Sequence, residues 1–300
     1  MRYNELKIES IQIFEREKNT LYKIVREDLG LKSSDVNIEN TLVYLYLPLY
    51  LWSKRLHQEK QSTVFVGITG VNGVGKTTLT EFVRLMLLRE NFNVLAFSMD
   101  DLYPTKEQRF KWAKEIDPEL KTRLIYDNTV VKEVFKNLIV WKGPISIPQF
   151  DKGIDDRKNE EDWLKVNIKP DIVVFEGVFV AAKALKDTKN LSKKDRFINE
   201  KVLELEKCYN AVDLKVVMLA KHIEDVVLFR QQQEFELQKK RGKEIGMTPH
   251  KIKAFVNYFQ IYLKRYTYPL AVDRGIDITF MLDSERNIVS VIDPKIENIE

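Results

Sequence analysis

Cysteine is nearly absent from this 300-residue chain: Cys208 stands alone, which excludes an internal disulfide. Histidine is scarce too, and three histidines beside one thiol give no zinc-like cluster. A reducing, cytoplasmic setting is the expectation. No sign of charge is in large excess. The 49 basic and 45 acidic residues leave a formal charge of +4, without the long one-sign block that marks a nucleic-acid footprint. Long apolar runs are missing as well. The most apolar stretch, Thr41 to Trp52, falls short of the ~20 residues that span a bilayer and contains Pro48, so it reads as a buried, bent helix. The opening MRYNELKIESIQIFEREK lacks the apolar segment and cleavage site of a secretory signal, so neither membrane nor export is expected.

What is present is material for one substantial core plus an appended segment, with 44% hydrophobic and 31% charged residues. Leu6, Ile8, Ile11, Ile13, Phe14, Leu21, Ile24 and Val25 recur at helical spacing, and Gly30 is a plausible stop. Short apolar strands follow at Val64–Thr69, Asn93–Ser98, Asp171–Phe175 and Asp213–Leu219, separated by long helical segments such as Lys76–Glu90. Ile276–Leu282 and Asn287–Val291 read as a closing hairpin around Asp283-Ser-Glu-Arg286. This alternation predicts an α/β fold, a parallel sheet covered by helices on both faces. The expected division is a helical N-terminal extension at 1–60 packed on a domain at 61–300, with a charged helical lid at about 223–250.

Ligands of such sheets sit at the carboxyl ends of strands, and the polar motifs of this chain fall there. Gly70-Val-Asn-Gly-Val-Gly-Lys-Thr77, behind an apolar strand and ahead of a helix, fits the phosphate-binding loop GxxxxGK[ST]. Its glycines let the N–H groups of Gly70, Asn72, Gly73, Val74, Gly75 and Thr78 face one concavity, and the helix adds its positive end. Lys76 reaches the β- and γ-phosphates in this arrangement, and Thr77 offers a hydroxyl to Mg²⁺. Phe97-Ser-Met-Asp-Asp-Leu-Tyr103 puts Asp100 at the end of the neighbouring strand, suited to take the proton of an attacking hydroxyl. Asp101 and Tyr103 are assigned to the acceptor side. Val173-Val-Phe-Glu-Gly177 ends a third strand on Glu176, where a phosphate-bound Mg²⁺ finds an outer carboxylate. Ile147-Pro-Gln-Phe-Asp-Lys152, with Arg157 after it and Arg123 to Asp127 before it, supplies polar groups for an acceptor pocket: Arg123, Asp127, Asp151, Lys152 and Arg157. In the charged helical segment, Arg230 and Arg241 of the run Lys239 to Lys243 are candidates to close over the phosphates.

These motifs in this order resemble the phosphoribulokinase and uridine kinase superfamily of P-loop kinases, and within it the D-glycerate 3-kinases of plant, cyanobacterial and fungal type. The likeness rests on Tyr46-Leu-Pro-Leu-Tyr-Leu-Trp52, GITGVNGVGKTTL, SMDDLYPT, IPQFDK, VVFEGVFV, Gly246-Met-Thr-Pro249 and Ala254-Phe-Val-Asn-Tyr258, and spans about residues 42 to 291. The resemblance implies a P-loop NTPase fold, ATP as donor, Mg²⁺, and transfer to a hydroxyl of a small acid. It places Lys76 and Thr77 on nucleotide and metal, Asp100 as base, Glu176 near the metal, and Asp151, Lys152 and Arg157 toward the acceptor. Arg230 in LFRQQQE matches an arginine of the family.

Three segments depart from the family's pattern. A glycine-rich stretch ending in His-Asp is replaced by Thr122-Arg-Leu-Ile-Tyr-Asp-Asn-Thr129, Gln149 stands where an arginine is usual, and the loop between Lys152 and Asp156 is trimmed. All three lie where the acceptor would bind. The acceptor therefore stays open among glycerate, another hydroxy acid, a nucleoside, pantothenate and a sugar phosphate. A regulator that binds ATP without phosphorylating a metabolite is the reading from another class, and oligomeric state is not legible.

Overall fold

The apolar periodicity of the first sixty residues folds as three helices in the computed structural model, which describes residues 3–241 and 248–296. α1 (Tyr3–Lys23) buries Leu6, Ile13, Phe14 and Leu21 on one face, and a wider π turn carries the chain on to Gly30. α2 (Asp35–Thr41) begins at Ser34, whose hydroxyl accepts a hydrogen bond from Asn37 N–H. A second π turn, Leu42–Tyr46, leads into α3 (Leu47–Lys60). Pro48 accounts for the change of winding, because it has no N–H to give the carbonyl four residues back, that of Tyr44. The Tyr3 hydroxyl donates to that carbonyl instead. The start of α1 thus fills a bond that the proline removes, and the irregularity expected from Pro48 falls one turn before it.

β1 (Val64–Gly70) is buried at every position and runs through the phosphate-loop sequence into α4 (Lys76–Arg89). β2 (Val94–Ser98), α5 (Lys106–Glu115) and α6 (Asn128–Val140) follow. The IPQFDK region, read from sequence only as a polar segment after a turn, is built of short strands. β3 (Ile145–Ile147), β4 (Phe150–Asp151), β5 (Asp156–Arg157) and β6 (Leu164–Val166) pair antiparallel, β3 with β6 and, nested inside, β4 with β5. Then come β7 (Ile172–Gly177), α7 (Lys193–Tyr209), β8 (Leu214–Ala220), α8 (Asp225–Arg241), α9 (Pro249–Tyr262), β9 (Ile278–Leu282) and β10 (Ile288–Ile292).

The main sheet has the order β10-β9-β8-β1-β7-β2. All its pairs are parallel except β9 with β10, the hairpin expected from the sequence. Interior strands are covered on both faces, which is why β1 and β7 are continuous apolar runs and not alternating ones. β7 inserts between β1 and β2, so the first crossover skips a place and the carboxyl ends of three strands frame one crevice. The register puts Glu176 of β7 beside Ile68 of β1 and Ser98 of β2. The N-terminal helices belong to the same core: Tyr46 meets Phe82 of α4 with ring centroids 4.9 Å apart. Among the described residues, no helix is long and apolar enough to cross a membrane.

Candidate active site

The loop after β1 is shaped by close approaches that only glycine permits. A β-carbon on Gly70 would lie 2.2 Å from the Met218 carbonyl of β8, and one on Gly73 would lie 2.9 Å from the Phe229 backbone of α8. Gly73 and Gly75 also have positive φ, +76° and +106°, and Gly75 stands as the N-cap of α4. Lys76 opens the helix but turns back into the loop, donating from Nζ to the carbonyls of Gly70 at 3.0 Å and Val71 at 2.9 Å. It is buried, and burial pushes its ammonium pKa down against the carboxylates of Glu176 and Asp100, which favour the charge. Thr77, one residue on, donates from Oγ1 to Glu176 Oε1 at 3.0 Å. A hydroxyl and a buried carboxylate from two different elements therefore share one spot at the mouth of the loop. Asn72 and Thr78 are half-buried in the same segment, and Val74 is buried beneath it.

Asp100 sits in a short 3₁₀ turn just beyond β2 that begins when Ser98 Oγ accepts the Asp100 N–H. Its Oδ2 lies 3.0 Å from Lys152 Nζ. Burial raises the pKa of this carboxyl, but Lys152, Lys76 and the hydrogen bond from the Tyr103 hydroxyl outweigh it and hold the group below the usual carboxylate range. Asp101 points elsewhere: its Oδ1 accepts the Phe150 N–H at 3.1 Å and so pins β4 to the end of β2. Burial, above all, raises the Asp101 carboxyl. Gly177 is explained here as well. A β-carbon there would lie 2.5 Å from the Tyr126 hydroxyl, which accepts the Val178 N–H at 3.0 Å.

The remaining residues expected from the sequence to face an acceptor form a cross-linked wall. Arg157 donates to the Tyr103 carbonyl at 2.8 Å and to Asp127 Oδ2 at 3.0 Å. Asp127 in turn caps α6, accepting from Thr129 and Val130 N–H. Arg123 meets Asp155 at 3.2 Å and lies 5.5 Å from the Phe150 ring centroid, while its Nη1 is buried with no hydrogen-bond partner among the described residues. Asp151 Oδ1 accepts the Gly153 N–H at 2.7 Å and closes the β4–β5 turn. Sequence reasoning missed the centre of this wall, Arg109. It is 1% exposed and donates to the carbonyls of Pro104, Lys121 and Asp155 and to the Asp155 carboxylate. Three chain segments are bound by one guanidinium. The available signal was a lone arginine in a helix whose other residues are exposed or half-exposed, which is too little to single it out.

Of the two arginines expected to close over the phosphates, Arg230 is inside α8 and pairs with the buried Glu234 at 2.8 Å. Burial disfavours its charge, Glu234 and Asp100 favour it, and Arg123 opposes it, so the guanidinium belongs to the same electrostatic cluster. α8 is unbroken to Arg241. The side chain of Arg241, with Gly242, Lys243, Gly246 and Met247, lies outside the described residues. A separate groove of about 630 Å³, lined by Glu9, Arg16, Tyr50, Lys54, Arg89 and Glu90 among others, is at the far end of α4 from this chemistry.

A strand, a phosphate loop and a helix, with Glu176 ending the adjacent β7 and Asp100 just beyond β2 on the far side of β7, define a P-loop kinase. No family model matches the chain. The uncharacterized kinase mug58 of Schizosaccharomyces pombe is 31% identical over 230 residues, covering 68% of this chain and 80% of that protein. The chain belongs with it to one family of kinases. A uridine kinase of Staphylococcus aureus is 26% identical over 129 residues, 42% of this chain and 58% of that enzyme. Two solved structures share the fold. The YGR205w protein has a TM-score of 0.72 and 24% identity over 88% of this chain and all of its own. The D-glycerate 3-kinase of Cryptococcus neoformans var. grubii has a TM-score of 0.71 and 20% identity, over 81% and 96% of the two chains.

Proposed function

We propose that this kinase transfers the γ-phosphate of ATP to a hydroxyl of a small hydroxy acid, D-glycerate or a close analogue, in the cytoplasm. One observation carries the reading: the Asp100 carboxylate interacts with Lys76 of the phosphate loop and is paired with Lys152, a largely exposed cation that an incoming acid can reach. Asp100 is the base that takes the acceptor proton. Lys76 leaves the loop carbonyls for the β- and γ-phosphates, and Arg230 neutralises charge that develops in transfer. Arg123, whose Nη1 lacks a hydrogen-bond partner among the described residues, and Lys152 orient the acid group of the acceptor. Asp101, Tyr103, Asp127, Asp151 and Arg157 hold those residues in place. Residues 1–60 serve as the extension and 61–300 as the kinase domain.

The donor set fits Mg²⁺. Thr77 Oγ1 and Glu176 Oε1 are hard oxygen ligands brought to one point, and among the described residues no three His, Cys, Asp or Glu side chains form an all-protein cage. A small divalent cation held by two such groups takes its remaining ligands from phosphate and water, and it supplies neutralisation of phosphate charge.

The test is release of ADP from Mg-ATP in the presence of single hydroxyl compounds: D-glycerate, other hydroxy acids, nucleosides, pantothenate and sugar phosphates. Stimulation confined to a hydroxy acid is expected. Stimulation by a nucleoside instead would move the acceptor toward that of the uridine kinases, and a flat panel with intact ATP binding would favour a nucleotide-dependent regulator.

A further inference from the structure

The turn between β9 and β10 contains Arg286, a residue the chemistry above does not use. Its φ is +67°, in the left-handed region where a β-carbon is a steric burden and glycine is the usual occupant. Asp283 builds the turn by accepting the N–H groups of Glu285 and Asn287, each at 2.9 Å. A strained position that keeps a long cationic side chain invites the question of what the side chain reaches.

It reaches two other elements at once. Arg286 Nε donates to the Gly73 carbonyl, at the tip of the phosphate loop, at 2.8 Å. Its Nη1 donates to Gln232 Oε1 and its Nη2 to the Phe229 carbonyl at 3.4 Å, both in α8, and the guanidinium lies 4.6 Å from the Phe229 ring centroid. A trans peptide is planar, so its C=O and its N–H point in opposite directions. Drawing the Gly73 carbonyl toward the hairpin therefore turns the Val74 N–H inward, where it meets only a long contact with the Val71 carbonyl at 3.5 Å. A bond of that length leaves most of the donor's capacity for a better acceptor.

We propose that Arg286 is a positioning residue: it sets the Gly73–Val74 peptide for phosphate binding and ties the loop to α8, so that nucleotide occupancy is felt along the first turns of that helix. The inference rests on the kinase reading. Its test needs only nucleotide binding, with no acceptor.

ADP is titrated calorimetrically into the wild type, Arg286→Gln, Arg286→Lys and Gln232→Ala, and hydrogen exchange is followed with and without ADP. Wild type should show slowed exchange in both 70–77 and 225–234 on ADP binding. Arg286→Gln should weaken ADP about tenfold and lose the protection of 225–234. Arg286→Lys should recover little, since one ammonium cannot bridge a loop carbonyl and a helix as the planar fork does. Gln232→Ala should bind ADP within about twofold of wild type yet show reduced protection of 225–234. If Arg286→Gln, or Arg286→Lys where the former does not fold, binds ADP as wild type does with full protection of α8, the inference is wrong and the residue is merely structural. Failure of the wild type to bind ADP would overturn the kinase reading and this inference with it.

Discussion

The ion pair between Asp100 and Lys152 makes a quantitative demand on the pH dependence of the reaction. At 3.0 Å, an effective dielectric constant of about 20 gives an attraction of about 5 kcal/mol, an upper bound. Lys152 is 61% exposed, however, and exposed pairs measure only about 0.2–1 kcal/mol. Asp100, 28% exposed, lies between the two regimes, so the pair is worth about 1 kcal/mol. The other charged and titratable groups that bear on Asp100 are Lys76, Tyr103, Asp101, Tyr126 and Arg230, and of these Lys76 and Asp101 also feel Lys152. The Asp100 pKa is depressed in the folded protein. The pair therefore contributes stability above the unfolded value of about 3.9, and that contribution is lost as pH falls through the lower folded value. Lys152→Met should accordingly move the acid limb of kcat/KM to higher pH, read by coupled ADP release. The height of the profile also falls as the acceptor loses a cation, and the same titration in Asp101→Asn separates the Asp100 limb from that of Asp101, which Lys152 also lowers. Acid limbs that superimpose within about 0.3 unit would show that Asp100 is not the titrating base.

Three further outcomes follow from the geometry. Asp100→Asn should cut turnover about 10²- to 10⁴-fold with nucleotide affinity by calorimetry unchanged, because the amide cannot accept the proton yet fills the same space; retained turnover would remove Asp100 from the mechanism. Gly70→Ala sets a β-carbon 2.2 Å from a backbone carbonyl that cannot yield. It should cost about 1–3 kcal/mol in a denaturant titration and abolish ADP binding. Arg109→Met should destabilise the fold by about 1–3 kcal/mol, since three carbonyls lose this donor while Asp155 keeps Arg123. In the folded fraction it should raise KM for the acceptor and leave KM for ATP alone, and an equal rise in both would argue that Arg109 does not act on the acceptor wall.

How much of this was legible beforehand depended on whether the chain states a feature locally. The phosphate loop was legible because its backbone needs glycine at fixed intervals, and the reasons found in the structure, the Met218 carbonyl behind Gly70 and the α8 backbone behind Gly73, are reasons of space. The order of polar groups at strand ends was legible because apolar strands stop where the sheet does, which put Asp100 and Glu176 in view. The acceptor wall was legible only as a set of residue names. Arg109, Arg123 and Arg157 are bonded to groups 5 to 54 positions away, with no periodicity to announce the pairing. Asp127 reads equally well as a helix cap or a ligand, and it caps α6 while holding Arg157. Arg286 was hidden for the same reason at a greater distance, since its partner Gly73 lies 213 residues earlier. The same contrast bears on what kinases of this type can change. A phosphate loop fixed by backbone contacts tolerates little variation. A wall assembled from separate side-chain bonds can be rebuilt piece by piece, and it is there that this chain departs from the D-glycerate 3-kinase pattern and there that the proposed acceptor would be selected.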